Sequence, residues 1–211
     1  MILWTIQDTA VWNQLQATGS YSTPSEKITF PTSEDNDRHH ANYAYRWMAK
    51  QMKERLGPPP KNIAYPVWAW YKQHGRHDGK PDMRASYYVK GYKCVRIKLD
   101  IPDWKVLLSD FDDWHCALNY SYCPLDEKDS NAFESWHKGL GVDYCDISDW
   151  NRTSPKLDLV RNRVEKSWQR ILGVSQQNES WGLPWAKRTI QATFWTIDLE
   201  NVVSVEHFVS R

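Results

Sequence analysis

The chain has no long apolar run. Nothing approaches the roughly 20 residues that a helical membrane span requires, and the mean hydropathy is −0.73. The first residues carry neither a basic segment nor an extended apolar core, so no export signal is read and a cytoplasmic, non-membrane protein is expected. Charge of one sign is missing too: 27 Lys and Arg face 26 Asp and Glu, a formal net charge of +1. That removes a whole-protein electrostatic argument for nucleic acid and leaves only local patches. Cysteine is scarce. Cys94, Cys116, Cys123 and Cys145 show neither CxxC pairing nor ligand spacing, so free thiols and no metal are expected. His74, His77 and Asp78 fall in a polar, glycine-containing loop and are read as loop residues, not ligands. No P-loop, Gly-rich dinucleotide fingerprint or internal repeat is present, which argues against a Rossmann domain.

What the chain has in excess is tryptophan, 13 in 211 residues. Trp joins a large apolar area to one N–H donor, so this richness points to an aromatic core together with aromatic-walled clefts or interfaces. The length fits one domain, 1–211, with a polar and mobile loop over about residues 20–40. Two terminal segments read as strands by alternation. In residues 2–7, Leu3, Thr5 and Gln7 share a face; in residues 189–198, Thr189, Gln191, Thr193 and Trp195 do. Each strand thus carries a Gln/Thr pair, and the expectation is that Gln7 and Gln191 line one cleft.

Between them, Asp8 or Thr9 caps a helix that ends at Gly19. A second helix is expected over 41–56 and stops at Gly57-Pro58-Pro59-Pro60. Residues 65–71 form an aromatic strand on which Trp68 and Trp70 point the same way. Strands near 92–100 and 105–109 follow, then a capped helix after Asp110 and helices over 126–138 and 156–172. A closing hairpin is expected from 190–197 and 202–208, turning at Leu199-Glu200-Asn201. Strands and helices cluster instead of alternating, which predicts an α+β fold with a mainly antiparallel or mixed sheet and flanking helices.

The motifs Leu3-Trp4-Thr5-Ile6-Gln7, Tyr45-Arg46-Trp47-Met48, Pro66 to Tyr71, Leu108 to His115 and Ile190-Gln191-Ala192-Thr193 resemble those of a bacterial family known only as a domain of unknown function. More distantly, the order of elements is similar to ADP-ribosyltransferases, especially the DNA-targeting toxins. Those open on a strand bearing a His-x-Thr pair, continue into a helix ending at Gly, carry an aromatic strand, and hold a Gln-Ala-Glu-like motif on the last core strand. The resemblance implies an ADP-ribosyltransferase-like fold, NAD as substrate with no metal, and transfer to nucleic acid or protein. It also implies a toxin or phage-defence role and an antitoxin or chaperone partner. Carried onto this chain, the first pair falls on Thr5 and Gln7, and the last motif on Gln191, Ala192 and Thr193. Thr193 occupies the position of the catalytic Glu and cannot supply its charge.

The candidate site is therefore Thr5 and Gln7 for the ribose or amide, Trp68, Trp70 or Tyr71 as a stacking wall, and Arg46 or Arg84 for diphosphate. Asp110, Gln191 and Thr193 are the candidate catalytic positions, with Asp110 the replacement acid. Asp110 also reads as a helix cap, and Trp68 also reads as core. The alternative is a binding module without chemistry, reading a nucleotide, nucleic acid or protein through the same aromatic strands.

Overall fold

The computed structural model describes residues 1–24, 35–73, 79–83, 89–175 and 183–211. In chain order its elements are β1 (Ile2–Asp8), α1 (Thr9–Thr18), β2 (Ser20–Tyr21), α2 (Asp35–Leu56), β3 (Val67–Lys72), β4 (Lys93–Asp100) and β5 (Leu107–Asp110). They continue with α3 (Phe111–Leu118), α4 (Glu127–Gly139), α5 (Tyr144–Ser148), α6 (Pro155–Ser167), β6 (Ile190–Phe194), β7 (Ile197–Asp198) and β8 (Val202–Val209). The fold is α+β with a mostly antiparallel sheet. No helix among the described residues is long and apolar enough to cross a membrane. The chain divides into two compact units. One comprises Met1–Ile28, Met48–Leu108 and Thr189–Arg211, the other Thr29–Trp47 and Ser109–Arg188.

The first unit is built on a six-stranded sheet in the order β5-β6-β3-β1-β4-β8. β1 pairs antiparallel with β3 and β4, and β3 pairs antiparallel with β6. Leu3, Val67, Ala69, Val95, Ile97, Leu99, Ala192 and Phe194 make one apolar cluster on one face of these strands. Local signals behave as expected in α1. The Asp8 side chain accepts from Ala10 N, and Gly19, at φ 78, closes the helix by donating to Leu15 O.

Three expectations are corrected. The closing hairpin does not form. β8 pairs with β4, at the far side of the sheet from β6. β7 leaves the main sheet to pair with β2, and a 3-10 turn over Leu199–Asn201 leads into β8. Sequence proximity favoured a hairpin, but a detour through a second sheet carries the chain across. The second correction is that the 20–40 segment is not one loop. Ser20–Tyr21 is strand, and α2 begins at Asp35, since neither Pro nor Gly interrupts residues 32–56. Residues 25–34 lie outside the described residues. Lastly, the helix expected over 156–172 is α only to Ser167 and continues as a 3-10 turn over Trp168–Leu172.

One glycine is required by close approach. The β3–β6 register shifts between Trp70 and Lys72, a bulge at Tyr71. Gly79, at φ +59, lies against that bulge, and a Cβ there would sit 2.6 Å from Tyr71 O. The glycine thus lets residues 79–83 lie against the strand and brings Lys80 to the sheet.

The second unit is helical and aromatic. Tyr120, Trp150 and Trp168 pack edge to face, with Tyr120 at 4.7 Å from Trp150 and 5.3 Å from Trp168 between ring centroids. The Tyr120 hydroxyl donates to Glu165 Oε1 at 2.6 Å, and Trp168 Nε1 donates to Ser121 O at 2.8 Å. The buried Arg161 guanidinium donates to the carbonyls of Ile147, Arg152, Asp146 and Asp149.

Candidate functional site

Side chains of paired antiparallel residues point to the same face of a sheet, and neighbours along a strand alternate. Trp4 pairs with Trp70 and with Lys98, and Trp70 pairs with Gln191. Lys98, Trp4, Trp70 and Gln191 therefore form one lateral row across four strands. The adjacent row on the same face holds Arg96, Ile6, Trp68 and Thr193, by the Ile6–Arg96 and Trp68–Thr193 pairs and the alternation along β1 and β3. This is the face opposite the aliphatic cluster.

Its chemistry is cationic and aromatic. Lys80 Nζ, Arg96 Cζ and Lys98 Nζ stand 5.2, 5.5 and 5.7 Å from the Trp4 ring centroid. Such contacts are favourable because the ring face carries negative quadrupole charge. Arg96 is buried and donates to Pro81 O and Glu206 Oε2, both at 2.6 Å, and Lys80 Nζ lies 3.3 Å from Glu206 Oε1. Burial pulls the Glu206 carboxyl upward, but the hydrogen bond and charge of Arg96, and then those of Lys80, hold it below the usual carboxylate range. Lys80 and Arg96 both reach the Glu206 carboxylate, and Lys98 adds a third cation on this face beside half-buried Trp68 and Trp70. Gln191 is 8% exposed, and its Oε1 has no hydrogen-bond partner among the described residues.

The candidate residues separate on this geometry. Trp68, Trp70, Gln191 and Thr193 share the cationic face. Thr5 and Gln7 belong to the opposite face, because Thr5 is one residue removed from Trp4 and Gln7 three. Thr5 is buried and donates to Trp68 O at 2.9 Å, and Gln7 Nε2 donates to Thr5 Oγ1 at 2.8 Å. The expectation that Gln7 and Gln191 line one cleft is thus overturned by register: alternation within a strand was legible, but parity between strands was not. The residues of β1 that share the face of Gln191 and Thr193 are Trp4 and Ile6. Thr193 is fully buried, its hydroxyl donating to Leu107 O at 3.2 Å. Tyr71, at the bulge, is half-buried and packs against the aliphatic cluster.

Asp110 and Arg46 belong to the second unit. Asp110 Oδ1 accepts from the N–H groups of Asp112 and Asp113, capping α3, while its Oδ2 lies 2.6 Å from Arg188 Nε. Both side chains of that ion pair are 2% exposed. Each carboxylate oxygen of Asp110 therefore has a structural partner. Arg46 is exposed on α2 and borders a pocket of about 290 Å³ with His39, Asn42, Tyr43 and Trp150. Arg84, His74, His77 and Asp78 lie outside the described residues.

Sequence reading missed Trp4, Lys80, Arg96 and Lys98 as site residues. A signal was present in Lys93-Cys94-Val95-Arg96-Ile97-Lys98, where alternation alone puts Arg96 and Lys98 on one strand face.

The family model described as "Domain of unknown function (DUF3841)" matches residues 2–203. The chain belongs to this family. Neither the curated proteins nor the solved structures contain a significant match to it.

Proposed function

We propose that this member of the family is a diverged ADP-ribosyltransferase-like protein that binds NAD or a related dinucleotide on the cationic face of its sheet. The observation that carries the reading is the adjacency of β6, β3 and β1, the three strands bearing the motifs of the resemblance. Trp68, Trp70, Gln191 and Thr193 point to one side there, beside Lys80, Arg96 and Lys98. A dinucleotide needs a flat wall for a ring, cations for its diphosphate and an amide for ribose or carboxamide, and this face offers each. The order of β1, then α1, then the left-handed Gly19 also agrees with the resemblance.

A second reading, binding without transfer, is favoured by the state of the acids. Group transfer from NAD builds positive charge on the ribose, which a carboxylate stabilises. Thr193 carries no charge, and both oxygens of Asp110 are engaged by α3 and Arg188. The acceptor in the transferase reading is a nucleic acid or protein, with an antitoxin or chaperone as partner.

Titration calorimetry with NAD and ADP-ribose tests the shared premise. Saturable binding that weakens with salt is expected, and Lys98→Ala should weaken it about tenfold, equivalent to about 1.4 kcal/mol. No binding of either compound to the wild-type chain sinks both forms. With binding in hand, labelled NAD separates them: label transfer or nicotinamide release supports the transferase, and neither supports the binding module.

A further inference from the structure

We propose that the second unit carries a binding site of its own for a purine mononucleotide, in the pocket between α2 and Trp150. The pocket encloses about 290 Å³ and is lined by His39, Asn42, Tyr43, Arg46 and Trp150. The first four stand at positions i, i+3, i+4 and i+7 of α2, the spacing that puts residues on one helix stripe. Trp150 comes from the connection between α5 and α6, and its place is fixed from several sides. His40, beside the stripe, donates from Nε2 to Ser148 O at 2.8 Å, which ties that connection to α2. The four carbonyls held by Arg161 belong to residues 146, 147, 149 and 152, on both sides of Trp150. The Tyr43 and Tyr120 rings pack against the indole at 5.3 and 4.7 Å between centroids. The wall of the pocket is therefore organised before any ligand arrives.

The lining groups that could grip a ligand are uncommitted. Among the described residues, no hydrogen bond or ion pair engages the Asn42 amide or the Arg46 guanidinium. Trp150 Nε1 is a buried donor with no acceptor among them. No carboxylate lines the pocket, and Asp146 and Asp149, which flank Trp150 in sequence, are already paired with Arg152 at 2.6 and 3.5 Å. The ligand these groups select has a flat ring for Trp150 and Tyr43, an edge that joins a donor to an acceptor for Asn42, and an anion for the Arg46 fork. Adenine with its phosphate has all three, since an Asn amide pairs in two-pronged fashion with adenine N6 and N7. The volume is at the lower end of the roughly 300–1,000 Å³ of small-molecule pockets, which suits one nucleotide and not a dinucleotide. The site uses none of the residues of the cationic sheet face, so it does not rest on the reading proposed for that face.

The test follows the indole N–H signals of the nitrogen-labelled full chain by magnetic resonance while adenosine monophosphate is added. The Trp150 signal is identified by its absence from the spectrum of Trp150→Phe. It is expected to shift saturably with adenosine monophosphate, and to need about tenfold more adenosine, which lacks the anion. Arg46→Ala should raise the requirement for adenosine monophosphate about tenfold and leave the response to adenosine unchanged. Arg46 is exposed and Ala suits a helix, so that variant keeps its fold. Uridine monophosphate should act more weakly than adenosine monophosphate, and Asn42→Ala should narrow that difference. Lys98→Ala should leave the Trp150 response as it is, which separates this site from the sheet face. If Trp150→Phe does not fold, calorimetry of Lys98→Ala with and without Arg46→Ala makes the same comparison, with about tenfold weaker binding expected in the double variant. A Trp150 signal unmoved by adenosine monophosphate overturns the proposal. So does an equal response with and without Arg46, by either measurement, or a wild-type chain that takes uridine and adenosine monophosphates alike.

Discussion

In the first unit, Leu3, Val95, Ile97, Leu99 and Phe194 form an apolar cluster with no side-chain polar atom of its own to satisfy, and the buried Thr5 hydroxyl on the same face donates to Trp68 O. The second unit buries Tyr120, Trp168, Arg161, Asp110 and Arg188, and each brings atoms that need a hydrogen-bond partner. Tyr120 finds Glu165, Trp168 finds Ser121 O, Arg161 finds four carbonyls, and Asp110 finds Arg188 and the N-terminus of α3. The contrast sets how each unit fails. Removing atoms from an aliphatic cluster loses contact area in proportion to what is removed. Removing one atom from a buried polar network strands its partner away from water, at a cost set by the partner.

The largest expected effect is at Asp110. Asn keeps most of the capping, since Asn and Asp cap about equally well. It removes the negative charge that Asp110 sets against the buried Arg188 guanidinium, at a cost of about 3–5 kcal/mol. Urea unfolding of Asp110→Asn measures this, and the double variant Asp110→Asn/Arg188→Met should recover part of the loss. Wild-type stability in the single variant would break the claim that the pair holds the second unit. It also follows that lost activity in Asp110→Asn alone does not identify a catalytic acid, because stability falls with it.

Gly79→Ala comes next, a site in the first unit where a small change should act like a large one. Its Cβ would meet Tyr71 O at 2.6 Å in a left-handed backbone. A cost on the order of 2 kcal/mol is expected from that strain. Lys80 and Pro81 should shift with it, so the NAD binding proposed for this face should weaken as well. Unchanged unfolding and binding would show that residues 79–83 do not shape the site.

A matched pair then sharpens the comparison at the smallest chemical change. Tyr120→Phe deletes one oxygen in the second unit and takes away one of the hydrogen bonds of Glu165, which Tyr43 also contacts, at about 1–3 kcal/mol. Ile97→Val deletes one methyl in the first, at about 0.5–1.5 kcal/mol. Chemical denaturation of both variants should rank them in that order, and the reverse order would erase the distinction between the units.

The smallest effect is at acid pH. Burial pulls the Asp129 carboxyl up, but hydrogen bonds from Leu125 N, Arg170 and Tyr122 outweigh it and hold it below the usual range. A carboxyl depressed in the folded state contributes fully above its unfolded value, near pH 4, and that contribution disappears as pH falls through the folded value. Asp129→Asn should lower Tm at pH 7 by an amount equivalent to at most about 1 kcal/mol, since the pair is partly solvated. The gap should close on acidification. A gap independent of pH would mean that packing, not charge, is what the residue contributes.

Legibility differed with the range of the forces involved. The cap at Asp8, the left-handed Gly19, the apolar stripe of α6 and the shared face of Trp68 and Trp70 are set within a few residues of chain, and each was readable. Asp110 was readable as a cap for the same reason, but its ion pair was not, because Arg188 lies 78 residues away. The aromatic strand was readable, while the cations over Trp4 come from residue 80 and from β4 and meet only through strand pairing and the close approach of Gly79.

By itself, the sequence determined the α+β character, the identity of most strands and helices, the residues that alternate on each strand, and the family to which the chain belongs. Only the tertiary structure decided that β8 joins β4 and not β6, and that Thr5 and Gln7 face away from Gln191 and Thr193. The physical reason is that side-chain alternation has a period of two within one strand, whereas the face shared between strands depends on register. A shift of one residue in that register exchanges the two faces of a strand, and it is set by backbone hydrogen bonds between segments as much as about 120 residues apart.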